Sequence, residues 1–109
     1  MNENEFQEIF SDQIKYCEKM LFKKGLEYAV ETDRLHNFKI AAMLQNETEL
    51  QALGGMMAKH IVSIYDMIDS NEPYTMSMWD EKLGDAINYL ILAKAILIEN
   101  KVKYLKDKN

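Results

Sequence analysis

The chain has little that bends, staples or punctuates a fold. Its 109 residues include 4 glycines and 1 proline, too few for a turn-rich β protein. Cysteine occurs once, at Cys17, so no internal disulfide can form, which fits a reducing compartment. The opening stretch MNENEFQEIF has neither the basic n-region nor the apolar h-region of a secretory signal. The longest apolar run, Tyr89 to Ile98, contains Lys94 and is too short to span a bilayer. Positive charge is in deficit. A formal net charge of −5 argues against a whole-surface affinity for nucleic acid or anionic membrane, although it leaves room for a local basic pocket. These absences predict a cytoplasmic protein with neither nucleic acid nor membrane as partner.

What is present is a helix-forming alphabet. Hydrophobic residues make up 48% of the chain, enough for a core, and Leu, Ala, Met, Glu, Lys and Gln dominate. The length suits one domain, residues 1–109. Four helical segments can be read from apolar spacing. The first spans about Glu5 to Lys24, with Phe6, Ile9, Phe10, Ile14, Cys17 and Leu21 on one face and Gly25 as a C-cap or kink. LEYAVET then either extends it or forms a loop. The second spans about Asp33 to Gln45, with Thr32 as N-cap and Leu35, Phe38, Ala41 and Ala42 inward. The third spans about Glu49 to Asp69. Thr48 and Gln51 have capping-box spacing, and Leu53, Met57, Ile61, Ile64 and Ile68 form an apolar stripe. Gly54 and Gly55 predict a later helix start, or close approach by another backbone or a ligand. The segment SNEPYTMS reads as a loop, from which Ser77 caps a fourth helix continuing to about Leu105. The expected architecture is an all-α, four-helix bundle-like domain.

Polar residues interrupt the apolar faces at helical spacing. Glu81, Asp85 and Asn88 share one face of the fourth helix; Lys59, Ser63 and Asp66 share one face of the third; Asp33 and Asn37 share one face of the second, flanked by Arg34 and His36. If the stripes converge, they have two readings. One is structural: the cations neutralise the carboxylates and the amides satisfy backbone groups, as in networks that specify a unique packing. The other is a pocket. Arg34, Lys59 and His60 would hold phosphate oxygens. Asn37 or Asn88 would read a base edge, Tyr28 would stack on it, and Glu81 and Asp85 would hold Mg²⁺. With only His36 and His60 available, no zinc-type ligand set exists. Cys17 reads as a small hydrophobe, Trp79 as a packing anchor, and the 8 methionines as adaptable filler.

The blocks KGLEYA, DRLHNFK, GGMMAKHIVSIYDMI and WDEKLGDAINYLIL resemble the small phage and prophage proteins called nucleotide modification associated domain type 1, over about residues 24–98. The resemblance implies a phage-type helical protein that handles nucleotides in the bacterial host cytoplasm, in modified-nucleotide metabolism or by sequestering a host nucleotide signal. A weaker similarity leads to the MazG-like all-α nucleotide pyrophosphohydrolases, whose motif EELGD binds Mg²⁺. Here the motif reads EKLGD. Asp85 matches the motif aspartate, Lys82 replaces a glutamate, and the paired-glutamate motif of the preceding helix is missing. That resemblance carries over only Asp85, with Glu81 as a substitute metal ligand.

Three functions therefore stand open: a binder of a phosphorylated nucleotide, a Mg²⁺-dependent pyrophosphohydrolase with Asp66 as a further ligand, and a non-catalytic structural protein. The near-uniform apolarity of the fourth helix from Tyr89 to Ile98 asks for burial on more than one side. A homo-oligomer is the expected partner, a symmetric dimer by default or something larger.

Overall fold

Capping chemistry sets where the helices begin. The fold is taken from a computed structural model that describes the backbone of residues 1–28 and 33–101 and the side chains of 1–23 and 33–101. It holds four helices in chain order: α1 (Glu3–Tyr28), α2 (His36–Gln45), α3 (Glu49–Asp69) and α4 (Met76–Glu99). No strand occurs among the described residues, so the domain is all-α and bundle-like.

At the start of α1, Asn2 Oδ1 accepts from the Glu5 amide at 2.9 Å and Glu5 Oε2 accepts from the Asn2 amide at 3.1 Å. This reciprocal box starts the helix two residues ahead of the sequence expectation. Gly25 neither caps nor ends α1, which continues to Tyr28. α2 starts later than expected. Asp33 turns its carboxylate back onto the Leu35 amide at 3.0 Å, and Leu35 takes the N-cap place without a side-chain bond. Thr32, the expected cap, lies outside the described residues. Asn46 ends α2 in the left-handed region, φ 52°, as Asn tolerates there.

The Thr48–Gln51 capping box of α3 forms as its spacing predicts. The glycine pair behaves otherwise. α3 runs straight through Gly54 and Gly55, and a Cβ at either position would meet nothing within 4 Å. The close approach occurs instead at Gly84, where a Cβ would lie 2.7 Å from Tyr16 Cε1. α4 is capped by Thr75, whose Oγ1 accepts from the Met78 amide at 3.2 Å; the extended backbone of Thr75 places its hydroxyl ahead of Ser77. The helix ends at Glu99, short of Leu105. None of the described helices is long and apolar enough to cross a membrane.

The helices pack as an open array. α2 packs on α3, α3 on α4, and α4 on α1. The core joins Leu35 and Phe38 of α2, Leu53 of α3 and Ile96 of α4, with Met56, Tyr89 and Leu92 against it. α1 takes part through its middle, where Cys17 is buried. The α3 stripe expected to face the core does so only in part. Ala52, Leu53 and Met67 are buried while Ile61 and Ile68 are exposed. The inward face is centred on Leu53, Met56 and His60, and one residue step turns a side chain by about 100°, so Ile61 points elsewhere.

Candidate functional site

Gly84 lets α1 and α4 approach closely, and a cleft opens above that contact. Next along the seam, Asn88 Nδ2 donates to the Cys17 carbonyl at 3.2 Å, and Cys17 Sγ lies 4.0 Å from the Gly84 carbonyl. Gln13 and Tyr16 meet Gly84, and Cys17 meets Asn88, so α1 and α4 advance in the same direction. One turn further they part, and α2 and α3 complete a cleft of about 580 Å³, a usual size for a small-molecule site. Its apolar walls include Met20 and Leu21 of α1, Phe38 and Ile40 of α2, Met56 of α3 and Leu92 of α4. Its polar lining is Arg34, His36, Asn37, His60, Asp85 and Asn88, with Tyr89 beside them.

Arg34, His60, Asp85 and Asn88 each have a neighbour that orients them. Arg34 Nη2 donates to the Leu21 carbonyl at 3.2 Å, which ties the entry to α2 back onto α1. A guanidinium carries five N–H donors in a planar fork, so one such bond leaves capacity for an anion. His60 Nδ1 lies 3.6 Å from Asp85 Oδ2, a charge contact rather than a short hydrogen bond. The His60 ring also packs tilted against Tyr89, with centroids 5.0 Å apart. Asn88 is 7% exposed. Its Oδ1 is fully buried and accepts no hydrogen bond among the described residues. A buried acceptor without a donor costs on the order of 1–3 kcal/mol.

The structure sorts the residues singled out by spacing. Arg34, Asn37, His60, Asp85 and Asn88 do converge on one cleft. Lys59 does not: it is exposed and absent from the lining, because it sits one residue from His60 and the two side chains diverge on the helix. Asp33 also turns away. Its carboxylate pairs with Lys39 at 2.8 Å, and Lys39 reaches Glu99 at 2.6 Å. The lysine hydrogen bond, then the Leu35 amide, hold the Asp33 carboxyl below its ordinary value, while Asp33 and Glu99 push the Lys39 ammonium up. The Tyr28 side chain lies outside those described.

Glu81 is exposed and outside the cleft, a turn before α4 enters it. Its charge is felt on α1: burial first, then Glu81, Asp85 and Asp80, push the Tyr16 phenol up. Asp66 is exposed as well. No group of three or more His, Cys, Asp or Glu side chains among the described residues is placed to hold a metal ion. Of the carboxylates expected to hold Mg²⁺, Asp85 lines the cleft while Glu81 and Asp66 are exposed outside it. His36 and Tyr89 are the lining residues that spacing did not assign a role. His36 flanks Arg34 in the sequence, which was a usable signal; Tyr89 reads as core until α3 is seen beside it.

Compared with protein-family models, curated proteins and solved structures, the chain finds no significant match.

Proposed function

We propose that the protein binds a phosphorylated nucleotide in the cleft between its four helices, as a phage-type nucleotide-handling protein that holds its ligand without hydrolysing it. The observation that carries this reading is the convergence of Arg34, Asn37, His60, Asp85 and Asn88 on one cleft, with the Asn88 nitrogen held by the Cys17 carbonyl and its buried oxygen without a donor among the described residues. Such a mixed set of acceptors and a cation suits a ligand that carries both N–H donors and an anionic group, as a phosphorylated nucleotide does.

The chemistry of the walls agrees. Asp85 and Asn88 place two acceptors about one turn apart on α4, suited to amino, imino and hydroxyl donors. Arg34 brings a cation from the other side, at the entry to α2, suited to phosphate oxygens. Tyr89, Phe38 and the aliphatic walls offer the flat apolar surface that a base needs.

A thermal-shift screen with a panel of nucleotides, with and without Mg²⁺, tests the reading. A ligand that binds only the folded state at about 100 times its Kd adds about 2.7 kcal/mol to stability. The expected outcome is a raised midpoint for at least one nucleotide, with unchanged ligand recovered afterwards. Recovery of a cleaved product favours the pyrophosphohydrolase. No shift with any nucleotide favours the structural protein.

A further inference from the structure

The α4 wall of the cleft presents a carboxylate, and a carboxylate discriminates between bases. Asp85 lines the cleft, and its side chain is only 18% exposed, so a bond made there meets little competition from water. Ionised, the group accepts at about four lone-pair positions and donates nothing. Its contact with His60 Nδ1, at 3.6 Å, is too long to count as a hydrogen bond. Asn88, about one turn further along α4, adds an acceptor. Its oxygen is buried without a donor among the described residues, while its nitrogen is turned to the Cys17 carbonyl.

Two carboxylate oxygens side by side match two N–H groups side by side, the geometry by which a carboxylate takes a guanidinium fork. Guanine carries that pair on one edge, as the ring N1–H and the adjacent N2 amino group. Adenine and cytosine set their amino group beside a ring nitrogen that only accepts. Uracil sets its N3–H between two carbonyls. Each of these makes one bond to a carboxylate and turns a lone pair toward the second oxygen. We propose that the base held in the cleft is guanine, with Asp85 accepting from N1–H and the N2 amino group and the phosphates directed to Arg34. Guanine O6 accepts, and Asn37, which lines the cleft from α2, carries an amide that donates to it. The assignment rests on the nucleotide reading above and adds the identity of the base to it.

The test is calorimetric titration of the full chain with the 5′-mono- and 5′-triphosphates of guanosine, inosine, xanthosine, adenosine, cytidine and uridine. Inosine keeps N1–H and lacks the amino group; xanthosine puts a carbonyl in its place. Guanosine phosphates should bind about tenfold or more tightly than inosine phosphates, the loss expected with one hydrogen bond to a charged group. Xanthosine should be weaker still. Asp85→Asn offers one acceptor and one donor, so the guanosine preference over xanthosine should shrink about tenfold or more. Circular dichroism checks that the variant folds; if it does not, the wild-type ratio of guanosine to inosine decides alone. Equal binding of inosine overturns the assignment and leaves the nucleotide site standing. So does equal or tighter binding of adenosine, cytidine or uridine phosphates, or a folded Asp85→Asn with the wild-type preference. Failure of the whole panel to bind overturns the nucleotide reading along with it.

Discussion

Two polar clusters flank the turn that leads into α2, and they differ in completeness. On one side, Lys39 bridges Asp33 and Glu99, and the second Asp33 oxygen takes the Leu35 amide. These groups are half-exposed, and each is satisfied within the chain. On the other side, Arg34, His60, Asp85 and Asn88 line a cleft, where the most buried of them keeps an acceptor open. The first arrangement is a clamp that fixes α2 to the end of α4. The second keeps one buried acceptor without a donor among the described residues. Adjacent residues, Asp33 and Arg34, thus enter different clusters, one closed within the chain and one lining a cleft.

Breaking the wall beneath the cleft has the largest expected effect. Gly84→Ala drives a methyl into the Tyr16 ring and should lower stability by about 1–3 kcal/mol. It should also weaken ligand binding by separating Cys17 from Asn88; thermal melting and ligand titration read the two effects. Asn88→Leu sharpens the comparison. It removes the donor and the unmatched acceptor together, so stability should change by less than about 1.5 kcal/mol. Affinity for the nucleotide should fall about tenfold or more, since a site loses on the order of 1.4 kcal/mol or more with a specific hydrogen bond. A melting point far below wild type would assign Asn88 to packing instead.

A glycine control calibrates the first experiment. Gly54→Ala and Gly55→Ala meet open space within a helix of ordinary backbone angles. Each should raise stability by about 0.5–1 kcal/mol, opposite in sign to Gly84→Ala.

The clamp gives the smallest change. Lys39→Met should shift the melting point only slightly at neutral pH, because the pair is accessible to solvent. Its pH dependence fixes the sign. Asp33 is depressed in the folded state, so its contribution is present above the ordinary aspartate value, near 3.9, and is lost as pH falls through the lowered value. Lys39 is raised, so its contribution is present below the ordinary lysine value and is lost as pH rises through the raised one. The difference between Lys39→Met and wild type should therefore hold across neutral pH and shrink in acid. A difference that grows in acid would remove Asp33 from the clamp.

Particular residues show how far the sequence could be read. The four helices were legible because apolar spacing and capping are local: Thr48 and Gln51 act within four residues of each other, and no other part of the chain changes that. Five of the residues assigned to a ligand site by spacing do meet, since α2, α3 and α4 are neighbours. Lys59, Asp33 and Glu81 miss the cleft for different reasons. Lys59 is turned from His60 by one helical step, Asp33 finds Lys39 six residues on, and Glu81 lies a turn too early along α4. The α3 stripe misled because an apolar arc wider than one contact was read as a single face, when the chain buries one edge of it and leaves Ile61 and Ile68 outside.

By itself the sequence determined the helical class, the start of α3 set by its Thr48–Gln51 box, and the polar residue types available to a site. Only the tertiary structure decided which glycine is indispensable, which cation faces the cleft and which acceptor is left without a donor. Capping and periodicity are short-range and repeat in every copy of a helix. Burial and hydrogen-bond satisfaction depend on which neighbour lies opposite, and for Gly84 and Asn88 that neighbour is α1, far away in the chain.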